Sequence, residues 1–215
     1  EETYGVNVKV VRNVPEHKNI PDRVSRTSMG LPEDRRIILL QGAGINIHRG
    51  AEEMLEAMQF IEGALFMVVG GGDILDKLKE RTGELGLEDK VLFIPKQPLE
   101  KVWKYTIQAD LGITFDKDTN PNYRYSLPNK LFDYIHAGVP VLSSPLVELK
   151  KIIEEYRIGT TIDNHDPRHI AEKINGIFDN PDILELWKEN IKFASEALCW
   201  EKEEVTLIQI YQHFV

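Results

Sequence analysis

Short runs of apolar, mostly β-branched residues recur along the chain, and polar segments with helical spacing separate them. The runs are continuous rather than alternating, which is typical of strands buried on both faces of a parallel sheet. Repeated β–α–β units of this kind predict an α/β protein: a single Rossmann-like three-layer domain with a mostly parallel sheet of about six strands and a helical C-terminus. The predicted strands cover residues 6–11, 37–40, 65–69, 91–94, 111–115, 139–142 and 159–162, and the predicted helices lie near residues 50–61, 74–85, 98–108, 128–137, 146–156 and 167–178.

The two ends of the chain depart from this alternation. Residues 1–35 combine one apolar run with a polar, proline-containing stretch that has no clear period, which indicates an edge strand and a linker. From residue 180 onwards the pattern is wholly helical, with Asn180 as a cap and Pro181 in the first turn. We therefore expect a linker over 1–35, a Rossmann-like domain over 36–179 and C-terminal helices over 180–215.

Composition and charge limit the kinds of partner that the protein can bind. The chain has 215 residues, with 26 Lys and Arg against 35 Asp and Glu, a net charge of −9, and no cluster of basic residues. Nucleic-acid binding requires clustered cations, so that class is excluded. No apolar run approaches the roughly 18 residues that span a bilayer. The single cysteine, Cys199, has no metal-ligand spacing around it and indicates a reducing compartment, so we expect no metal site and a cytoplasmic location.

Loops at one edge of the predicted sheet have residues suited to an anion, because ligands of open α/β sheets bind beyond the carboxyl ends of the strands. In the first loop, Gly42 and Gly44 let backbone amides approach a phosphate, and Arg49 stands at a helix start. A cation is unfavourable there unless an anion binds. An ordinary turn with a surface arginine is the alternative. Ile47 replaces the third glycine of a dinucleotide fingerprint, and no Walker motif is present, so NAD and P-loop chemistry are disfavoured.

A second loop contains three consecutive glycines, among them Gly71 and Gly72, which suggest that a ligand comes close to the backbone. A tight turn capped by Asp73 is the alternative. A further loop follows the run 91–94, where irregular backbone at Ile94, Pro95 and Lys96 could offer hydrogen bonds to the edge of a base. Both features are weak by themselves.

The most specific segment covers residues 126–141, SLPNKLFDYIHAGVPV, and opens with Ser126. Its proline suits the first turn of a helix, which leaves the amides of Asn129, Lys130 and Leu131 free for a diphosphate, and the Lys130 ammonium adds a charge. Asp133 follows one turn later, where it could accept two hydrogen bonds from ribose hydroxyls. A solvated helix residue is the alternative for this aspartate. Before this segment, Asp116 and Asp118 are interpreted as carboxylates that solvate a flexible loop, with contact to a sugar as the alternative.

The order of these motifs resembles the C-terminal, donor-binding half of a GT-B glycosyltransferase of family 4, the glycosyl transferases group 1. The resemblance spans nearly the whole chain and depends most on the segment from Pro128 to Val141. The other segments that contribute are 41–50, 68–73, 90–94, 105–113 and the end of the chain from Trp200 to Tyr211.

The resemblance implies a hexosyltransferase-type enzyme of polysaccharide biosynthesis. It would transfer sugar from a nucleotide-diphosphate-sugar donor to a glycan or lipid-linked acceptor with retention, without a required cofactor or an obligatory metal. Amides at the head of the helix would take the diphosphate, Arg49 would approach the phosphates, and the residue in the position of Asp133 would take the ribose. The loop from Ile94 to Lys96 would border the base. The sequence does not identify the catalytic residues, the base, the sugar or the acceptor.

Three departures from the family are expected to have consequences. Tyr125 stands eight residues before Asp133, where the family's E-x7-E pair has its first carboxylate, so contact with the transferred sugar is open. Gly42-Ala43 replaces the usual Gly-Arg. The family has two Rossmann-like domains and this chain has room for one, and the chain begins without Met. We therefore expect an incomplete piece that lacks the N-terminal acceptor-binding half, binds donor weakly and is inactive alone; peripheral membrane attachment through that half stays open.

Two other interpretations remain at this point. One is a nucleotide-sugar epimerase of related fold, such as a UDP-GlcNAc 2-epimerase, although the histidines form no obvious pair with a carboxylate. The other is a non-catalytic nucleotide- or protein-binding module.

Overall fold

A parallel sheet of six strands lies at the centre of the protein, whose computed structural model describes residues 9–18 and 24–212. The strands are β1 (Arg36–Gly42), β2 (Ala64–Gly70), β3 (Val91–Pro95), β4 (Leu111–Thr114), β5 (Val141–Ser143) and β6 (Gly159–Thr161). Their order in the sheet is β3-β2-β1-β4-β5-β6, and all neighbours are parallel. The predicted α/β class and the strands predicted within residues 36–179 are confirmed.

Helices cover both faces of the sheet. They are α1 (Ala51–Ala57), α2 (Leu75–Glu84), α3 (Leu99–Thr106), α4 (Pro121–Arg124), α5 (Asn129–His136), α6 (Val147–Tyr156), α7 (Pro167–Phe178), α8 (Pro181–Ala197) and α9 (Trp200–Gln212), with 3₁₀ turns at Thr27–Met29 and Met58–Phe60. Alternate residues of β1 enter two separate cores: Ile38 and Leu40 pack with α1, α2 and α7, and Ile37 and Leu39 pack with α5, α6 and α8. Because both faces are covered, the strand is apolar without alternation.

The apolar run predicted as an edge strand over residues 6–11 is wrong for the part that the structure describes. Residues 9–11 form no strand, and residues 6–8 lie outside the described residues. The residues that come next are hydrogen-bonded to the start of α9 and not to the sheet. The Arg12 amide donates to Glu203 Oε2 (3.0 Å), and the Trp200 amide donates to the Pro15 carbonyl (2.8 Å).

The order of the strands positions the cleft described below. β1 and β4 are adjacent in the sheet, but the chain leaves β1 towards β2 on one side and returns to β4 on the other. Loops on either side of such a reversal point diverge and leave a crevice at the carboxyl ends of the two strands. Residues 43–50 follow β1, and the segment from residue 115 to the start of α5 follows β4.

Candidate functional site

Two adjoining cavities form one cleft at the carboxyl ends of β1 and β4. The first has a volume of about 310 Å³ and is lined by residues 40–45, Arg49 and residues 127–130. The second, of about 290 Å³, is lined by residues 41–43, Val69, Gly70, Lys96, Gln97, Leu99, Val102, Asn129, Lys130 and Asp133. Both linings contain residues 41–43, 129 and 130, so the two cavities adjoin.

The loop after β1 presents free backbone donors to the first cavity. The Ile45 amide donates to the Gly71 carbonyl (2.8 Å), which ties this loop to the one after β2. The amides of Ala43 and Gly44 donate to no other described residue, and both residues line the first cavity. Gly42 lines both cavities. Unpaired amides that converge on a cavity favour an anionic occupant.

The head of α5 closes the first cavity from the opposite side. The amides of Asn129 and Lys130 have no acceptor within the described chain, as expected at a helix start. The prediction that Leu131 adds a third free amide is wrong, because this amide donates to the Pro128 carbonyl (3.0 Å) and the side chain is buried in the core. A tight first turn therefore leaves two amides, not three, for a ligand.

Lys130 carries a charge that the protein does not pair directly. The residue is only 9% exposed and lines both cavities, and no hydrogen bond or ion pair reaches its ammonium from the described residues. Burial lowers the pKa of Lys130, with the charge of Asp116 opposing this shift and that of Arg49 adding to it. An uncompensated ammonium in a cavity favours an anion, whose binding would remove the cost of burying the cation.

Asp116 and Arg49 form an ion pair beside this lysine. Arg49 Nη1 is 3.6 Å from Asp116 Oδ1, Thr114 Oγ1 is 3.4 Å from the other carboxylate oxygen, and the guanidinium lies 5.2 Å from the centre of the Tyr123 ring. The interpretation of Asp116 as a solvating loop residue is wrong, because it is 1% exposed. Its position directly after a buried apolar run was the signal that could have revealed this.

The second carboxylate of that loop lies at the surface, as predicted. Asp118 accepts from Arg124 Nε at 2.9 Å, and this arginine ends α4. The loop itself is more ordered than its composition suggested: the Asn120 side chain accepts from the Tyr123 amide and Pro121 occupies the first turn, which together start a short helix.

Asp133 lies one turn into α5 at the edge of the second cavity. It is half-buried, and its Oδ2 accepts a hydrogen bond from Gln41 Nε2 at 2.9 Å. Burial raises the pKa of this carboxyl, while the positive charge of Lys18 and the Gln41 hydrogen bond lower it. Gln41 is a residue that the sequence analysis missed, although a polar residue at the end of a buried apolar run was visible there.

The rest of the second cavity has an apolar wall with polar groups at its rim. Val69, Leu99 and Val102 supply the apolar surface, and Lys96 and Gln97 supply the polar groups. A flat, partly apolar ring matches this combination. Of the three residues predicted to border a base, only Lys96 is in the lining; Ile94 packs against the core and Pro95 ends β3.

Two of the three consecutive glycines, Gly70 and Gly72, are required by the protein's own backbone. A Cβ at Gly70 would lie 1.8 Å from the Gly42 carbonyl oxygen, and one at Gly72 would lie 1.9 Å from that of Ile45. The prediction that ligand approach explains these glycines is therefore replaced by contact between two loops. Asp73 does not cap α2, which begins after Ile74 without a side-chain cap.

Several predicted site residues lie outside both linings. Ser126 donates through Oγ to the Tyr123 carbonyl (3.0 Å), and Gly71 is used in the loop contact described above. The full set outside the linings is Gly71, Gly72, Ile94, Pro95, Ser126 and Leu131, and the set inside them is Gly42, Gly44, Arg49, Lys96, Asn129, Lys130 and Asp133.

Another kind of site, such as a metal site, requires suitable side chains to come together in the fold. The described residues contain no group of three His, Cys, Asp or Glu side chains arranged to hold a metal ion. None of the helices in this part of the chain is long and apolar enough to cross a membrane. One histidine lies near a carboxylate: His169 Nε2 is 3.4 Å from Asp163 Oδ2, and the same nitrogen accepts a hydrogen bond from the Asp163 amide (3.0 Å). This pair lies outside the cleft linings.

Solved structures share this fold. Sucrose-phosphate synthase from Thermosynechococcus elongatus superposes with a TM-score of 0.78 at 22% identity, over 94% of this chain and 52% of that one. Anabaena HepE in complex with UDP-glucose gives a TM-score of 0.78 at 16% identity, over 96% and 57% of the two chains. The chain thus has the fold of one half of a GT-B glycosyltransferase.

Sequence relatives agree with the fold. A D-inositol 3-phosphate glycosyltransferase of Thermobispora bispora is 23% identical over 219 residues, which covers 96% of this chain and 48% of that protein. An uncharacterised glycosyltransferase of Methanocaldococcus jannaschii is 24% identical over 194 residues, or 87% and 47% of the two chains. The chain spans about half the length of the curated relatives it matches. The family model for glycosyl transferases group 1 matches residues 22–193, and the chain therefore belongs to that family.

Proposed function

We propose that the cleft binds a nucleotide-diphosphate sugar and that the chain is the donor-binding part of a retaining glycosyltransferase. The observation that carries the proposal is the unpaired ammonium of the largely buried Lys130 at a cavity bordered by free backbone amides. A diphosphate bound there would compensate this cation.

The first cavity is the proposed diphosphate site. Amides of Ala43, Gly44 and Asn129 border it, and the charges of Lys130 and Arg49 exceed that of Asp116 by one. An excess positive charge in a partly dry cleft attracts a dianion more strongly than the same charge in water.

The second cavity is the proposed nucleoside site. Asp133 would accept the hydrogen bonds of the two ribose hydroxyls, and the wall of Val69, Leu99 and Val102 would contact the base. UDP is the first nucleotide to test, because Anabaena HepE was solved with UDP-glucose.

The acceptor side is proposed to come from an N-terminal half outside this chain. The matched relatives are about twice as long, and sugar transfer needs groups from both halves of the cleft. We therefore propose that the chain alone binds donor weakly and transfers nothing. The full reaction would pass a hexose to a glycan or lipid-linked acceptor in polysaccharide biosynthesis, in the cytoplasm, with retention and without an obligatory metal.

Titration calorimetry with UDP, GDP and ADP tests the proposal. Lys130→Ala and Asp133→Ala should each weaken binding about 10- to 100-fold, because each removes a charge-assisted hydrogen bond worth about 1.5–3 kcal/mol. Asp118→Ala is the matched control, since its surface carboxylate does not line the cleft and should leave affinity unchanged. Unchanged affinity in both cleft variants would reject the site.

A non-catalytic nucleotide- or protein-binding module is the second candidate. It is favoured by Tyr125, which is 60% exposed at the position of the family's first carboxylate. Sugar transfer by the intact, longer protein that is lost on Asp133→Ala would exclude this candidate. An epimerase has less support, because the His169–Asp163 pair lies outside the cleft. Detection of an epimerised donor by NMR would favour the epimerase hypothesis.

A further inference from the structure

Gln41 is a buried amide that connects the end of β1 to Asp133. Its side chain is 3% exposed, and its Nε2 donates to Asp133 Oδ2 at 2.9 Å across 92 positions of sequence. On the other side, Thr106 Oγ1 donates to Gln41 Oε1 at 2.6 Å. The chain Thr106–Gln41–Asp133 therefore runs from α3 through the sheet to α5.

When Asp133 is ionised, the orientation of this amide is fixed, and the single hydroxyl hydrogen of Thr106, which also lies within reach of the Val102 carbonyl (3.0 Å), is used for Gln41. A carboxylate only accepts hydrogen bonds, so the NH₂ group of Gln41 faces Asp133 and the carbonyl oxygen faces the hydroxyl of Thr106. The backbone of Gln41 is also held, because its amide donates to the Tyr134 hydroxyl (3.3 Å). A glutamine fixed at both its backbone and its side chain is a rigid support for the carboxylate.

We infer that Gln41 is a positioning residue for the ribose of the donor: it holds Oδ2 of Asp133 so that the carboxylate faces the second cavity. This inference rests on the proposed function and deepens it. The bond to Gln41 uses one lone pair of Oδ2, which leaves Oδ1 and the remaining lone pair for two hydroxyl groups. Without this hydrogen bond the half-buried carboxylate would rotate among several rotamers and lose its alignment.

The charge of Asp133 depends on the same contact. Burial raises the pKa of the carboxyl, and the Gln41 hydrogen bond and the charge of Lys18 lower it. Removal of the Gln41 amide should therefore raise this pKa further. A protonated carboxyl would have fewer acceptor sites for the ribose.

The test compares ribose with dideoxyribose. UDP, GDP and ADP are titrated against their 2′,3′-dideoxy analogues in the wild type and in Gln41→Leu. We expect the wild type to prefer the ribose form about tenfold or more, and Gln41→Leu to retain about threefold or less. Affinity for the dideoxy form should fall less than affinity for the ribose form, because the dideoxy form makes no ribose contact with Asp133.

A matched control separates positioning from general damage. Gln108 is also a buried glutamine, 2% exposed, but its Nε2 donates to the Val24 carbonyl away from the cleft. Gln108→Leu should leave the ribose preference unchanged. If Gln41→Leu does not fold, Thr106→Val provides a second test. This variant removes the hydroxyl that donates to Gln41 Oε1, and its ribose preference should lie between those expected for the wild type and for Gln41→Leu.

The possible results separate the inference from the function on which it rests. Equal weakening of ribose and dideoxy forms in Gln41→Leu, or an unchanged preference, would overturn the inference and leave the proposed function intact. Absence of nucleotide binding, or of any ribose preference, in the wild type would overturn both.

Discussion

Arg49 Nη1 lies 3.6 Å from Oδ1 of Asp116, whose side chain is almost completely buried at the end of β4. This carboxylate also raises the pKa of Lys130 against the effect of burial. One negative charge therefore faces two cations in the cleft. We infer that Asp116 partly compensates the charges of Arg49 and Lys130 when no ligand is bound. One net positive charge then remains to attract a diphosphate.

Removal of this charge should destabilise the protein. In Asp116→Asn the cations at Arg49 and Lys130 lose their counter-charge, and we expect the free energy of unfolding to fall by about 2 kcal/mol. This is less than the 3–5 kcal/mol typical of a fully buried pair, because the Arg49 side chain keeps 29% exposure. Urea unfolding followed by circular dichroism measures the change. Asp118→Asn removes a surface carboxylate of the same loop and should have little effect; equal losses in the two variants would contradict the assigned role.

Lys130 should lower stability while it supports binding. Burial lowers its pKa in the folded state, so the unfolded chain holds the proton more tightly. Unfolding free energy should therefore rise as the pH increases from the lowered pKa towards the unfolded value, and this part of the pH dependence should be missing in Lys130→Met. At neutral pH this variant should be more stable than the wild type but bind UDP more weakly.

Thermal unfolding between pH 7 and 10, with and without UDP, tests whether Lys130 lowers the stability of the protein while it strengthens UDP binding. Lys101→Met is the control, since Lys101 is exposed on α3 and does not line the cleft. A Lys130→Met variant that loses both stability and affinity would indicate a structural role for the lysine instead.

Gly72 and Gly71 should differ sharply in their tolerance of alanine. A Cβ at Gly72 would overlap the Ile45 carbonyl oxygen at 1.9 Å, whereas the nearest atoms to a Cβ at Gly71 are 4.0 Å away. Gly72→Ala should cost about 1–3 kcal/mol through forced displacement of the loop, and Gly71→Ala should be nearly neutral. Urea midpoints of the two variants give the comparison; similar midpoints would show that the two loops separate easily.

His136 should make the protein less stable in mild acid. Burial lowers its pKa below 6.5, partly offset by the hydrogen bond between Nε2 and the Leu198 carbonyl (3.0 Å). The unfolded state then binds more protons, so unfolding free energy should fall as the pH drops from about 7 through the folded pKa. His136→Phe should show a smaller fall between pH 7 and 5. Identical slopes in the two proteins would contradict this assignment.

The fold was largely predictable because its main signals are local. Apolar runs such as those of β1 and β2 have the length and composition of buried strands, and the segments between them have helical spacing. The run at residues 9–11 shows the limit of this reasoning. Its composition resembles that of a strand, but hydrogen bonds from Arg12 and Trp200 attach the segment to α9.

The sequence by itself determined which residues follow each strand, and therefore that Gly42, Arg49, Lys130 and Asp133 meet at one edge of the sheet. Only the tertiary structure decided what these residues contact. The glycine at position 72 faces another loop's carbonyl, Asp116 is buried beside Arg49, and Gln41 reaches a carboxylate 92 residues away. The physical reason is that burial and hydrogen-bond partners depend on side chains from distant segments, whose relative positions no local pattern contains.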